Sequence, residues 1–245
     1  MKILVCISQV PDTTTKISFA DNNTKLNTAG VQFIINPYDE LSLTRALELT
    51  EKLGGIVTVI NVGLADSEAN IRKALAIGAT DAIRINSEPK DAYFVAEQIA
   101  AVAQSGGYEL ILTGRESIDY NSGLVGGLLA EMLNLPYVNV VCKLDMEGTT
   151  ATCEHDIDGG RAVVKCNLPC VLSAQKDLTE PRIPNMRGIM AARTKPLQVL
   201  EPQVVPILAE ALTYELPASK GACKMLDVAD AGKLIDLLHN EAKII

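Results

Sequence analysis

The sequence predicts an α/β protein: a parallel sheet with helices on both faces, a β-hairpin extension and a C-terminal arm. Three observations carry this prediction. Short apolar runs rich in Val and Ile alternate with longer stretches whose apolar residues recur at helical spacing. The connecting stretches have the length of parallel, right-handed crossovers. Past Val141 the alternation stops, and turn residues and then prolines take over.

The predicted strands occupy residues 2–8, 56–62, 82–86, 109–113 and 137–141. Their nearly unbroken apolarity is that of strands covered on both faces. Between them, residues 37–53, 67–77, 92–104 and 124–133 carry apolar side chains at i, i+3 and i+4, so each helix lays one stripe on the sheet. Asn36-Pro37-Tyr38-Asp39 signs the first helix entrance. A capping residue is followed by Pro at the first helical position and then by an acid in the first turn. Further on, Asp158-Gly159-Gly160 sits between residues 143–155 and 161–168 and reads as the turn of a β-hairpin. Residues 176–206 hold Pro181, Pro184, Pro196, Pro202 and Pro206 without apolar periodicity, and are expected to form an exposed arm. A last amphipathic helix, about residues 228–242, has Leu234, Leu237 and Leu238 on one face. It packs back on the domain or against a partner, and the pattern does not choose between them.

Thirty acidic against 22 basic residues leave a net charge of −8, which argues against binding of a nucleic-acid backbone or an anionic membrane. No apolar run approaches the ~20 residues of a membrane span, and no signal-peptide core follows Met1, so the expected compartment is the cytoplasm. Six cysteines without a CxxC pair, and only two histidines, do not make a metal ligand set; the cysteines read as buried free thiols. Catalytic constellations are equally scarce. There is no GxSxG, and His155, between Glu154 and Asp156, reads as a solvated strand residue rather than a general base.

In an open parallel sheet, ligands bind beyond the carboxyl ends of the strands. The loop after Thr113 runs Gly114-Arg115-Glu116-Ser117-Ile118-Asp119-Tyr120-Asn121-Ser122-Gly123 and enters a helix through Leu124-Val125-Gly126-Gly127. Small residues at a helix N-terminus let backbone N–H groups reach a phosphate, and glycine permits close approach. The same pattern fits a helix whose glycines serve tight packing on a strand. With no Walker lysine and no GxGxxG, the local sequence leaves the two even.

Several segments in order resemble the electron transfer flavoprotein beta subunit family: Asn36-Pro37-Tyr38-Asp39, Gly78-Ala79, Gly114 to Asp119, Asp156-Ile157-Asp158-Gly159-Gly160, Leu168-Pro169-Cys170-Val171, Leu178-Thr179-Glu180-Pro181-Arg182 and Ile189-Met190-Ala191-Ala192. The resemblance implies an adenine-nucleotide-binding domain over residues 1–200, including the hairpin and a docking loop, with residues 201–245 as a C-terminal arm and helix. It implies a nucleotide held by Cys6, by Asn36, Pro37, Tyr38 and Asp39, by Val62, and by Asp119, Tyr120, Asn121, Ser122, Gly123, Leu124, Val125, Gly126, Gly127, Leu128, Leu129 and Ala130. In the family that nucleotide is AMP with a structural role or, in electron-bifurcating members, a second FAD. The redox FAD belongs mainly to the alpha subunit, the heterodimer partner. Dehydrogenases such as acyl-CoA dehydrogenases are implied to dock at Met186, Arg187, Ile189 and Met190. The sequence departs from the family at Tyr120, Leu124 and Gly127. The rival class, a stand-alone adenine-nucleotide-binding enzyme or sensor of related fold, needs a glycine-rich loop after the first strand. Ser8-Gln9-Val10-Pro11-Asp12 is not one.

Overall fold

The computed structural model describes residues 1–245. β1 (Lys2–Cys6) is followed by four short strands, β2 (Gln9–Pro11), β3 (Phe19–Ala20), β4 (Lys25–Leu26) and β5 (Phe33–Ile35). These form two small antiparallel ladders, β2 with β5 and β3 with β4. Strands and helices then alternate: α1 (Pro37–Leu53), β6 (Ile56–Val62), α2 (Glu68–Ile77), β7 (Asp81–Ile85), α3 (Ala92–Gly106), β8 (Leu110–Gly114) and α4 (Val125–Leu133). The rest comprises β9 (Tyr137–Glu147), β10 (Thr150–Ile157), β11 (Gly160–Asn167), β12 (Cys170–Ala174), α5 (Met186–Ala192), β13 (Leu197–Leu200) and α6 (Ala231–Asp236). One nine-stranded sheet has the order β11-β10-β9-β12-β8-β1-β6-β7-β13. It is parallel except at β10, which runs antiparallel to both its neighbours.

Side-chain alternation along each central strand divides the core in two. Ile3, Val5, Val57, Val59, Leu110 and Leu112 point to the face covered by α1 and α2. Leu4, Cys6, Ile60, Val62 and Ile111 point to the face covered by α3 and α4. Each fully buried Leu or Ile contributes about 1.5–3 kcal/mol of transfer free energy, so both faces must be covered for the strands to stay paired. No helix is long and apolar enough to cross a membrane.

The structure departs from the sequence expectation in four segments and at one histidine. First, residues 137–141 and the start of the hairpin are one strand, β9, bent at Val140 (φ 53). Val140 N–H donates to Ser173 Oγ at 2.9 Å there, which lets β9 run parallel to β12 and then antiparallel to β10. Second, β12 is a separate strand at the middle of the sheet, buried along its whole length. Third, residues 176–206 are not a free arm. α5 lies on α2 so closely that a Cβ on Gly188 would sit 2.2 Å from Ala76 O, and Lys195 Nζ donates to the carbonyls of Leu75 and Ala79 at the end of α2. β13 pairs with β7 as the sheet's last strand, bounded by Pro196 and Pro202, where a missing N–H breaks no ladder bond. Fourth, the tail is a 3₁₀ turn, the short α6 and a π turn over Leu237–Glu241 in place of one continuous helix, and Leu234 stays exposed. His155 is half-buried, with Nδ1 lacking a partner, instead of solvated.

Candidate functional site

The carboxyl ends of β1 and β8 meet the first turn of α1 in a network centred on Asp39. Oδ2 accepts from Ser8 N–H and Ser8 Oγ, both at 2.7 Å. Oδ1 accepts from Gly114 N–H at 3.0 Å and from Asn36 Nδ2 at 3.1 Å. Asn36 also donates to Glu116 O at 2.8 Å, and Ser42 Oγ, one turn further into α1, donates to Thr113 O at 2.7 Å. Asn36 and Asp39 are both buried. Their side chains therefore fix the exits of two strands, and the Asn36 side chain does not cap its own helix. Gly114 is obligatory here, since a Cβ would lie 2.2 Å from Asp39 Oδ1. Burial, and then the Asp39 charge, push the Cys6 thiol up, so Cys6 is a packing residue and not a nucleophile.

β6 outlasts β1 at this edge. Ile7 N–H donates to Ile60 O at 2.9 Å, and Asn61 Nδ2 takes Ile7 O at 2.9 Å. Val62, two residues beyond Ile60, has the same strand parity, so its N–H and C=O face the gap that β1 vacates. A backbone donor and acceptor side by side suit the edge of an adenine ring. Arg84 steadies this stretch from β7: the guanidinium is buried, donates to Gly63 O at 3.0 Å and pairs with Glu68 at 3.1 Å.

The third wall is the loop into α4. Ser117 N–H donates to Ser122 O at 2.9 Å, closing the loop on itself, and Ser117 Oγ donates to the Asp119 carboxylate. Asp119, Tyr120, Asn121, Gly123 and Leu124 are exposed. α3 is capped by the Asp91 side chain, whereas no side chain caps α4, so its first N–H groups can serve an anion. Beneath that end lies Thr113 Oγ1, a buried hydroxyl without a partner.

The two meanings of the α4 glycines are resolved at Gly126. It is buried, and a Cβ would stand 2.8 Å from the Tyr137 hydroxyl and 2.9 Å from Thr113 Oγ1, so this glycine serves helix-on-sheet packing. Leu129 and Ala130 likewise point into the core between α4 and α3. Pro37, Tyr38, Ser122, Val125, Gly127 and Leu128 lie half-buried at the rim. Sequence reasoning missed Ser8, Asn61 and Thr113, whose only signal was a polar residue at the end of an apolar run.

Some distance away, α5 presents Met186, Arg187, Ile189 and Met190 outward. Its N-terminus is capped by Asn185, whose side chain accepts from Gly188 N–H at 2.8 Å.

The chain matches the family model described as the electron transfer flavoprotein domain over residues 23–205. It is 36% identical to the electron transfer flavoprotein subunit beta of Bacillus subtilis over 259 positions, covering all of both chains. To the subunit of that name in Syntrophomonas wolfei it is 35% identical, covering all of this chain and 98% of the other. To the one in Bradyrhizobium diazoefficiens it is 30% identical over the full length of both. With its sheet, its carboxyl-edge crevice and full-length matches of this kind, the chain belongs to the electron transfer flavoprotein beta subunit family.

Proposed function

We propose that the chain binds one adenine nucleotide at the carboxyl edge of the sheet. With an FAD-bearing alpha subunit, it carries electrons from dehydrogenases such as acyl-CoA dehydrogenases to a downstream acceptor. The observation that supports the nucleotide most is the uncapped N-terminus of α4 above the unpartnered Thr113 hydroxyl, on β8, with the Val62 end of β6 on the other side of β1. The redox chemistry is the flavin's; this chain's residues bind, orient and dock. The nucleotide is AMP in a structural role or, in a bifurcating member, a second FAD. Residues 1–200 form the binding and docking unit, and residues 201–245 the arm, in a cytoplasmic heterodimer. Co-purified with its alpha subunit, the complex should release one FAD and one AMP on denaturation. Two FAD and no AMP would identify a bifurcating member, and no adenine nucleotide beyond the redox FAD would refute the site.

The docking role rests on Met186, which is 74% exposed on a helix held rigidly to α2. A flexible thioether adapts to a partner's pocket. Met186→Ala should slow electron transfer from the dehydrogenase about tenfold, the effect of a ~1.4 kcal/mol anchor. Flavin content and thermal midpoint should stay at the parent's values. Transfer kinetics equal to the parent's at all dehydrogenase concentrations would remove α5 from the docking surface.

A further inference from the structure

Beyond β13 the chain is tied down at three points. Gln203 exchanges two hydrogen bonds with the buried Gln98 of α3: its N–H donates at 2.8 Å and its carbonyl accepts at 2.9 Å. Leu208 and Ala209 N–H donate to Asp91 Oδ2 at 2.6 and 2.9 Å, while the other oxygen of Asp91 caps α3. Tyr214 is the third anchor. Its N–H donates to Asn23 O at 2.8 Å, its ring stacks on Phe19 with centroids 5.3 Å apart, and its hydroxyl lies 3.5 Å from that of Tyr120.

The sheet order fixes the path between the last two anchors. Asp91 follows β7 and Tyr120 follows β8, with β6 and β1 between them. Three strand spacings amount to about 14 Å, within the ~20 Å that the six steps from residue 208 to residue 214 can span. The shortest path between these anchors runs over the carboxyl ends of β1 and β6, on the side where Val62 faces the gap. Residues 209–213 are exposed, and residues 210–213 make no hydrogen bond, so this stretch does not pack into the fold beneath it.

We propose that residues 208–214 are a strap across the nucleotide crevice and that Tyr214 is a positioning residue of the site, latching the strap to Phe19 and Tyr120. This inference rests on the nucleotide reading above. Tyr120 stands on the loop that leads into α4, so the latch holds the phosphate side of the site while the strap narrows its mouth. The strap would act on the passage of ligand, with no need to touch it.

Stopped-flow binding of a fluorescent N-methylanthraniloyl-AMP probe to the full-length chain tests this. Tyr214→Ala should raise association and dissociation rates together, each on the order of tenfold, leaving Kd within about threefold. Phe19→Ala, which removes the stack without touching the α4 loop, should do the same, and Tyr214→Phe should restore much of the parent behaviour. Rates unchanged in both alanine variants overturn the strap while leaving the nucleotide site standing. A rise in dissociation alone also overturns it, since Tyr214 would then be a ligand contact. Absence of both AMP and FAD binding by the parent removes the nucleotide reading and the strap together.

Discussion

Asp39→Ala is expected to lower the unfolding free energy by about 4 kcal/mol at pH 7, and the thermal midpoint by about 10 °C in a chain of this size. The carboxylate is buried and accepts four hydrogen bonds, from Ser8 twice, Gly114 and Asn36. Alanine strands those donors away from water, and each stranded donor costs about 1–3 kcal/mol before relaxation. Asp39→Asn should cost nearly as much, because one oxygen becomes a donor facing another donor. The pH dependence has a definite sign. Burial pushes the Asp39 carboxyl from its ordinary 3.8 up to about 6, against the hydrogen bonds that hold it down. The folded state thus binds this proton more tightly than the unfolded chain. The group's contribution is fully present below about pH 4 and is lost as pH rises through about 6. Up to about 3 kcal/mol disappears from the parent across that window, and the alanine variant lacks the decline. Denaturant titrations at pH 5 and pH 7 should therefore show a larger cost of Asp39→Ala at pH 5. A cost below 1 kcal/mol at both, or a larger one at pH 7, would contradict this account.

The parts of the fold legible in the sequence are those where one periodicity runs undisturbed. The five apolar runs from Lys2 to Val141 and the helices between them have the pattern of a sheet buried on both faces, and the two core faces bear this out. Cys170–Ala174 was hidden because it follows the last hairpin strand with only Leu168 and Pro169 between, and five consecutive buried residues show no alternation. Leu197–Leu200 was hidden by its flanking prolines, which signal a loop although they are compatible with the end of an edge strand. At the site, local pattern identified the helix entrance at Asn36 but not the use of its side chains. Asn36 and Asp39 read as a cap and an acid in the first turn, yet both reach across to the exits of β1 and β8. A long-range hydrogen bond leaves no trace in the spacing of residues. The same holds for Tyr214, which lies 94 positions from Tyr120 and in a segment with no regular structure.

Gly126→Val should destabilise the ligand-free protein by about 3 kcal/mol, an overpacking cost at a site with no room for a side chain. A single Cβ already comes within 2.8 Å of the Tyr137 hydroxyl, 2.9 Å of Thr113 Oγ1 and 3.0 Å of Tyr137 Cε2. Valine adds two more carbons, so either Tyr137 leaves its place or α4 lifts from β8. The gain in helix propensity over glycine, a few tenths of a kcal/mol, does not offset this. Gly127 is the internal control, because there a Cβ would meet Tyr137 at 3.6 Å, an ordinary contact. Gly127→Ala should therefore be neutral or stabilise by up to about 1 kcal/mol through the unfolded chain. Saturating AMP, at a hundredfold excess over Kd, should add about 2.7 kcal/mol to the parent and to Gly127→Ala alike. Thermal melts of the parent and both variants with and without AMP separate the possibilities. Should Gly126→Val melt with the ligand-free parent and lose only the AMP response, the glycine serves the phosphate after all, and its packing against Tyr137 is incidental.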